Sequence, residues 1–305
     1  MSILLVAENR NLEPFREALL NIDKNLDVEI WPNVEKKERV QFAIAWNQPK
    51  NVFDSYPNLK VISSLGAGVD HLLNDSTIPD YITFTKITEQ SLITQMIDYV
   101  YASVLSIILR LDTYRNSKKW SPEPKFTRDN LNLGVMGLGN IGKEVAVYLA
   151  DQRFSVFGLS HSKKNLSGVQ TFEPDQMDDF LSNIHILVNL LPLTKETEGI
   201  LNLDLFKKLD NPSFLINVAR GDHLVDEDLI YALDTNSIEA AYLDVFSEEP
   251  LPESHPFWNR KNIYITPHVA GGSDPDNVAA EITNNYKRLL SGMELQNVVD
   301  REKGY

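Results

Sequence analysis

Residues 131–142, which read LNLGVMGLGNIG, combine a short apolar strand, a glycine turn and the start of a helix. Gly137, Gly139 and Gly142 have the spacing G-x-G-x-x-G. The first glycine permits a tight turn, the second lets backbone approach a pyrophosphate, and the third lets the helix pack closely on the strand. The run therefore predicts a dinucleotide site at a helix N-terminus. In a simple dinucleotide-binding chain the motif lies near the first residue, so the residues before it must build another domain.

Composition excludes several classes of protein. A net charge of −14 opposes binding to nucleic acid or to an anionic membrane, because both need a basic face. The sequence contains no cysteine, which excludes disulfides, thiolate catalysis and zinc–thiolate sites. No apolar run approaches the ~20 residues of a membrane span, and the N-terminus MSILLVAENR lacks the features of a signal peptide. We therefore predict a cytoplasmic protein without nucleic acid or membrane partners.

Strand and helix patterns alternate through the first hundred residues. The first helix has Pro14 in its first turn, a position that proline favours. A long helical pattern from residue 89 to about residue 119 suggests a helix that links two domains or packs in an interface. Strands are predicted at residues 3–7, 28–31, 42–46, 60–64 and 82–85, and the first helix at residues 12–20.

A second alternation begins after the loop of residues 121–124 and has the rhythm of a Rossmann domain. The last helix, at residues 276–290, follows the final strand and is predicted to return to the first domain. We expect an α/β fold of two doubly wound parallel-sheet domains, with a Rossmann domain (100–274) inserted into a flavodoxin-like domain (1–99 and 275–305). Strands of the second domain are predicted at residues 132–136, 154–159, 184–190, 214–217, 240–244 and 262–265.

The loop after the second Rossmann strand indicates which dinucleotide binds. An NAD enzyme usually carries Asp or Glu there to accept the ribose 2′-OH, whereas this chain has Ser160, His161, Ser162, Lys163 and Lys164. Hydroxyls can donate to a 2′-phosphate, and a lysine can supply positive charge. A solvated surface loop is the alternative interpretation. Against the acidic background of the chain, the cluster favours NADPH, with NADH as the second option.

Three later segments end strands at the same predicted edge of the sheet. Arg220 follows a buried strand, and its guanidinium could bind a carboxylate as a fork or form only a surface salt bridge. Glu249 lies in an acidic segment before Pro250, which taken alone is typical of a solvated loop. His268 follows a strand and a proline and precedes two glycines, so it is well placed to act as a general acid.

Taken together, these motifs resemble the D-isomer-specific 2-hydroxyacid dehydrogenase family. The resemblance covers essentially the whole chain and rests on GLGNIG, LLPLTKET, NVARGDHLVDEDLI, LDVFSEEPLP and TPHVAGG. The subgroup that it resembles most is glyoxylate/hydroxypyruvate reductase A, through AIAW, SLGAGVD, FTRDNLNLGVMG and VDREKGY. That subgroup looks NADPH-preferring, as the missing acid at position 160 also indicates. One departure is that Asp98 and Tyr99 stand where many family members carry a Glu-His pair.

The resemblance implies roles for the matching residues. His268 would donate a proton to the substrate carbonyl, and Glu249 would keep its imidazolium available near neutral pH. Arg220 would bind the substrate carboxylate and polarise the keto oxygen, so that no metal is needed. Trp46 would line the substrate pocket or simply belong to the domain core. The other side of the carboxylate would be held by backbone N–H groups of Leu65, Gly66, Ala67 and Gly68.

The resemblance also implies a set of cofactor-binding residues. Asp244 would orient the nicotinamide carboxamide. The full set is Gly137, Gly139, Asn140, Ile141, Gly142, Ser160, His161, Ser162, Lys163, Leu191, Pro192, Val218, Ala219, Asp244 and Gly271.

We therefore predict an NADPH-dependent reductase of small 2-keto acids, such as glyoxylate or hydroxypyruvate, that forms D-2-hydroxy acids. One alternative is an enzyme of the same fold with a different or phosphorylated substrate. Only Lys50 and Lys60 offer basic side chains in residues 46–70, which favours a small, singly charged acid. A second alternative is a dinucleotide-sensing binding protein, but it could dispense with the Glu249 and His268 pair. The long helix and the family resemblance suggest a homodimer.

Overall fold

The computed structural model describes residues 1–8, 10–115, 117–122 and 124–304 of the 305-residue chain. The chain divides into two compact units. Unit 1 comprises Met1–Leu92 and Gly272–Tyr305, and unit 2 comprises Ile93–Gly271. The boundaries drawn from the sequence lie a few residues later in the chain at both crossings.

Strands and helices alternate in both units, as the sequence pattern predicts. The strands are β1 (Ser2–Ala7), β2 (Val28–Ile30), β3 (Val40–Trp46), β4 (Val61–Ser64), β5 (Thr83–Thr85), β6 (Leu133–Met136), β7 (Val156–Leu159), β8 (Val169–Phe172), β9 (Ile186–Asn189), β10 (Phe214–Asn217), β11 (Ala240–Leu243) and β12 (Ile263–Ile265). The α-helices are α1 (Glu13–Ile22), α2 (Asp70–Leu73), α3 (Gln90–Leu109), α4 (Leu111–Arg115), α5 (Asn140–Asp151), α6 (Met177–Leu181), α7 (Leu203–Phe206), α8 (Asp226–Asp234) and α9 (Pro275–Leu290).

Unit 1 has a five-stranded parallel sheet in the order β2-β1-β3-β4-β5, the flavodoxin-like doubly wound order. All six residues of β1 are buried, because helices and loops cover both faces of a parallel sheet. Helix α9 belongs to this unit, where it packs on α1. Its buried face joins the core around β1 through Val278, Ala279, Ile282 and Tyr286.

Helix α9 begins with a well-defined cap. The carboxylate of Asp274 accepts hydrogen bonds from the N–H groups of Asp276 and Asn277, and Pro275 occupies the first helical position. Glu281 on the same helix accepts the N–H of Thr88 at 3.1 Å. The Glu281 contact ties the last helix to the residues that follow β5.

Unit 2 has a seven-stranded parallel sheet in the order β12-β11-β10-β9-β6-β7-β8. Strands β6–β11 have the doubly wound order of a Rossmann fold, with β12 added at one edge. Two apolar clusters cover the two faces of the sheet. The predicted fold class, α/β with two doubly wound parallel sheets, is confirmed.

The structure corrects the sequence prediction at two elements. Strand β8 was missed because it is a short edge strand with only one fully buried side chain, Phe172. The single helix predicted from residue 89 to about 119 is wrong, since α3 ends at Leu109 and Arg110 adopts a left-handed φ of 52°. The Arg110 guanidinium donates to the carbonyl of Pro124 and pairs with Glu239, which accounts for the break. Asn9, Asn116, Glu123 and Tyr305, which fall within segments used in the sequence predictions, lie outside the described residues.

Helix α3 is long and apolar enough to pass for a membrane span by length and composition, contrary to the expectation from the sequence. Within its apolar stretch, 44% of the residues are buried in the protein. Core helices of soluble proteins pass the same test, so a single such helix is weak support for a membrane protein.

Candidate active site

The strands of unit 2 end in register along one edge of the sheet. Asn217 of β10 lies opposite Leu243 of β11, which lies opposite Ile265 of β12. In the other direction, Asn217 lies opposite Asn189 of β9, which pairs with Met136 of β6. The loops after these strands therefore leave from a single edge, where ligands bind in open α/β sheets. This edge carries the glycine loop and the segments of Arg220, Glu249 and His268.

Glu249 and His268 form a close pair at this edge. The Nδ1 atom of His268 lies 2.7 Å from Oε2 of Glu249, and the two side chains are 32% and 36% exposed. A carboxylate at Nδ1 favours the tautomer or cation in which that nitrogen carries a proton. The Nε2 atom has no partner among the described residues. In the cation, both ring nitrogens carry a proton, and His268 then presents the proton on Nε2 to an acceptor.

The surroundings of Glu249 keep it negatively charged. Burial alone would raise the pKa of Glu249, but hydrogen bonds from His268 and from the N–H of Phe246, together with the charges of His268 and Arg220, lower it overall. The N–H of Phe246 donates to Oε1 at 3.0 Å, so both carboxylate oxygens are held. Glu249 consequently stays ionised under mildly acidic conditions.

Arg220 follows β10 in the turn next to this pair. A Cβ at Gly221 would lie 1.9 Å from the carbonyl carbon of Phe246, so only glycine lets this turn touch the segment that bears Glu249. The Nη1 atom of Arg220 donates to the carbonyl of Ala219 at 2.6 Å, and Arg220 is partly exposed. A guanidinium is planar and matches the geometry of a carboxylate, so an arginine at this edge suits an anionic ligand.

His268 lies in a turn, residues 266–270, that is stabilised by hydrogen bonds to Asp244. The buried Asp244 carboxylate accepts the N–H groups of Val269 and Ala270, each at 2.9 Å, and the hydroxyl of Thr266 at 2.6 Å. Its main-chain carbonyl accepts the N–H of His268 at 2.9 Å. Sequence reasoning assigned Asp244 to a nicotinamide carboxamide and missed these bonds, because they depend on how the turn folds back over β11.

The glycine loop has the features that a pyrophosphate requires. Gly137 has φ of +100°, and a Cβ at Gly142 would lie 1.8 Å from the Gly137 carbonyl oxygen. A Cβ at Gly139 would meet no protein atom within 4 Å, so this glycine leaves open space on the ligand side. The N–H groups of Asn140, Ile141 and Gly142 have no acceptor among the described residues, and no side chain caps α5. The loop therefore fits a dinucleotide phosphate.

The loop of residues 160–164 is exposed apart from Ser160. The Ser160 hydroxyl donates to the carbonyl of Ser162 at 2.7 Å, which shapes the loop. Among the described residues, Lys163 and Lys164 have no ion-pair partner for their ammonium groups. Glu173, missed by sequence reasoning, accepts the Lys163 N–H at 3.1 Å and also caps the next helical turn. The two ammonium groups and the exposed His161 remain available to an anion.

The other predicted cofactor residues also follow strands that end at this edge. Leu191 and Pro192 follow β9, Val218 and Ala219 follow β10, and Gly271 follows the turn of His268. Two buried asparagines, which sequence reasoning missed, fix these loops. The side-chain amide of Asn189 donates to that of Asn217 at 3.1 Å, and that of Asn217 donates to the carbonyl of Arg220 at 3.0 Å. Asparagine at a strand end was the available signal.

In unit 1, the loop of residues 65–68 follows β4. The N–H of Leu65 donates to the carbonyl of Ala45, and that of Gly66 donates to the hydroxyl of Ser64. The N–H groups of Ala67 and Gly68 have no acceptor among the described residues. These two groups, out of the four that were predicted, are available to an anion.

Trp46 and Lys86 lie near the same loop. The Trp46 ring rests against Gly66 and lies 5.0 Å from the His71 ring, while part of it packs on the core. Lys86 directly follows β5, and the N–H of the next residue, Ile87, donates to the Gly66 carbonyl. Burial lowers the pKa of Lys86, and its ammonium has no partner among the described residues. Sequence reasoning missed Lys86, which lies outside residues 46–70 and approaches this loop only because β5 pairs with β4.

Across the described ranges, no group of three or more His, Asp or Glu side chains is arranged to hold a metal ion. Groups that can donate hydrogen bonds to an anion at the edge of unit 2 include the Arg220 guanidinium, the His268 imidazole and the lysines of the 160–164 loop.

Comparison with known proteins relates this site to one family. The family model of the NAD-binding domain of D-isomer specific 2-hydroxyacid dehydrogenases matches residues 101–270. Glyoxylate/hydroxypyruvate reductase A of Photorhabdus laumondii is 38% identical over 290 residues, which is 92% of each chain. Its counterpart from Yersinia enterocolitica is 36% identical over 273 residues, or 87% of each chain.

Solved structures agree with the sequence relatives. A D-isomer specific 2-hydroxyacid dehydrogenase from Xanthobacter autotrophicus, in complex with NADPH and MES, has a TM-score of 0.95 at 32% identity and covers 100% of this chain and 99% of its own. An NADPH-dependent glyoxylate/hydroxypyruvate reductase from Sinorhizobium meliloti, in complex with NADP and sulfate, has a TM-score of 0.93 at 32% identity, with 100% of both chains covered.

The glycine loop gives a prediction about stability. Gly142→Ala should lower the thermal midpoint, because its Cβ would overlap the Gly137 carbonyl and overpacking of this kind costs about 1–3 kcal/mol. Gly139→Ala should leave the midpoint unchanged, since its Cβ meets no protein atom. Thermal unfolding followed by circular dichroism measures both. Equal shifts for the two variants would contradict this account of the loop.

Proposed function

Because the chain belongs to the D-isomer-specific 2-hydroxyacid dehydrogenase family, we propose that it reduces a small 2-keto acid to the D-2-hydroxy acid with NADPH. The observation that carries the proposal is the Glu249–His268 pair, with Nδ1 and Oε2 2.7 Å apart, beside Arg220 at the edge that bears the glycine loop. Glyoxylate and hydroxypyruvate are the proposed substrates, on the strength of the names of the relatives.

The cofactor is held by groups already described in unit 2. N–H groups at the start of α5 bind the pyrophosphate, and Lys163 with its neighbours binds the 2′-phosphate. When bound, the reduced nicotinamide supplies a hydride to C2 of the keto acid. The hydride and one proton from His268 together convert the keto group to a neutral hydroxyl group and leave the cofactor oxidised, so the reaction balances.

His268 and Arg220 act on the oxygen that becomes negative. Glu249 engages Nδ1 of His268, so the proton for the keto oxygen comes from Nε2. Arg220 directs its guanidinium at the substrate carboxylate and stabilises charge on the adjacent oxygen. The part that the family resemblance gives to the N–H groups of Ala67 and Gly68, in unit 1, stays a prediction. A dinucleotide sensor would need neither the Glu249–His268 pair nor Arg220.

The decisive experiment is a panel of 2-keto acids assayed by loss of reduced-cofactor absorbance, with wild-type protein and His268→Asn. Asparagine tolerates the left-handed backbone of residue 268 (φ 53°), so the substitution removes the proton donor and spares the turn. We expect kcat/KM to fall by about 10²–10⁴, with NADPH binding unchanged by fluorescence titration.

Wild-type protein that reduces none of glyoxylate, hydroxypyruvate, pyruvate and phenylpyruvate would refute the proposed activity. A normal turnover rate in His268→Asn would refute only the role of His268.

The proposed preference for NADPH has its own test. The double variant Lys163→Ala/Lys164→Ala should raise KM for NADPH by roughly 10-fold or more, because a charge-assisted hydrogen bond is worth at least about 1.5 kcal/mol. KM for NADH should stay nearly unchanged. The matched control is Lys207→Ala/Lys208→Ala, a second lysine pair of unit 2. Equal rises for both cofactors would exclude recognition of the 2′-phosphate by this loop.

We further propose that the protein forms a homodimer through unit 2. Three apolar side chains at the end of α3 and beyond it are exposed, namely Leu109 (41%), Leu111 (46%) and Trp120 (105%). Contiguous exposed apolar patches mark protein–protein interaction sites, and the proposal takes these three side chains as parts of one such patch. The proposal of a cytoplasmic location stays a prediction from composition.

Light scattering coupled to size-exclusion chromatography tests the dimer. Wild-type protein should have twice the chain mass of 34.6 kDa. Leu111→Glu/Trp120→Glu should shift it toward the single-chain mass, whereas Trp258→Glu, at a tryptophan that is 52% exposed elsewhere on unit 2, should not. A monomeric wild type at micromolar concentration would refute the proposal.

A further inference from the structure

Tyr99 on α3 is connected to the His268 turn by a directed chain of hydrogen bonds. Its hydroxyl oxygen lies 2.6 Å from Oγ1 of Thr266, and Oγ1 lies 2.6 Å from Oδ1 of Asp244. The carboxylate can only accept, so the Thr266 proton is donated to Asp244. Tyr99 must then donate its own proton to Thr266. The chain therefore runs from Tyr99 through Thr266 to Asp244.

Asp244 at the end of this chain holds a turn that is costly to form. His268 has φ of 53°, in the left-handed region, which costs a non-glycine residue roughly 1–2 kcal/mol. Such a conformation persists where the surrounding bonds over-determine it. Here those bonds are the N–H groups of His268, Val269 and Ala270, all donated to oxygens of Asp244.

We propose that Tyr99 is a positioning residue for His268, because its hydroxyl, acting through Thr266 and Asp244, keeps the 266–270 turn in the conformation that presents Nε2. Among the described residues, the Tyr99 hydroxyl bonds to Thr266 and not to Glu249 or His268. Its effect on turnover rests on the proposed function, whereas its effect on the turn does not.

Two properties of Tyr99 suit it to this task. Burial raises the pKa of Tyr99 to about 12, with the Thr266 hydrogen bond acting against this and the Asp244 charge adding to it. The phenol therefore stays a donor across the physiological range of pH. Tyr99 also packs against a core cluster that contains residues of β6 and β10 as well as Ala270 of the turn, so strands outside the turn help to hold its ring. A bond from a fixed donor restricts Thr266 more than a water molecule would.

The kinetic test removes one oxygen. Tyr99→Phe should lower kcat about 10-fold, because small displacements of a catalytic group cost rate. KM for NADPH should stay within twofold, since the pyrophosphate and 2′-phosphate contacts lie in other loops. The matched control is Tyr101→Phe, two residues along the same helix, where the hydroxyl accepts from Arg128 at 3.3 Å and takes no part in the chain. Unchanged kcat in Tyr99→Phe, or an equal fall in Tyr101→Phe, overturns the proposal.

Variants at Thr266 separate positioning from general destabilisation. Thr266→Val keeps the shape and removes the hydroxyl, so it should reproduce the fall in kcat, and Thr266→Ser should restore it. The double variant Tyr99→Phe/Thr266→Val should be no worse than Thr266→Val alone, because both changes break one chain. Additive losses would mean that Tyr99 acts by another route and would overturn the proposal.

Hydrogen exchange tests the turn without reference to activity. The amides of Val269 and Ala270 should exchange about 10-fold faster in Tyr99→Phe than in wild type, while Tyr101→Phe matches wild type. Equal exchange in all three proteins overturns the proposal even if activity falls. If the wild-type protein reduces no keto acid, the proposed function fails, and faster exchange in Tyr99→Phe alone still supports the role of Tyr99 in the turn.

Discussion

The in-register pairing of the parallel strands in unit 2 is the constraint on which the site depends. Main-chain hydrogen bonds align the last residues of β6, β9, β10, β11 and β12, so every loop that follows them leaves from one edge. Backbone geometry gathers there residues as far apart in sequence as Gly137 and His268. Side chains only have to refine positions within a few ångströms.

The refinement is made by buried polar groups whose hydrogen bonds are local to each loop. Asn189 and Asn217 tie the ends of two adjacent strands together, and Asp244 supports the turn of the third. A buried carboxylate without hydrogen-bond donors would be costly, but the Asp244 carboxylate accepts three hydrogen bonds, one from a hydroxyl and two from main-chain N–H groups. The energetic demand of burying that charge is thus what fixes the turn, since loosening it would leave the carboxylate unpaired.

Elements that depend on local pattern could be predicted from the sequence, and those that depend on tertiary contacts could not. The apolar run of β1 and the glycine spacing of the loop before α5 each imply a structure on their own. The break at Arg110 depends on Pro124 and Glu239, which are distant in sequence. Likewise, Lys86 joins the loop of residues 65–68 only because β5 pairs with β4. The predicted roles of Arg220, Glu249 and His268 remain proposals.

Charge explains why the arrangement suits anionic ligands despite the acidity of the chain. With a net charge of −14, long-range attraction does not favour a phosphate or a carboxylate. Binding must come from groups in direct contact with the ligand. Salt screens the repulsion from distant acidic residues, so nearby unpaired ammonium groups and backbone N–H groups outweigh it. Among the described residues, Lys163 and Lys164 have no ion-pair partners, and the first N–H groups of α5 have no acceptors. If surface carboxylates paired with these ammonium and N–H groups, the groups would no longer be free to bind a ligand.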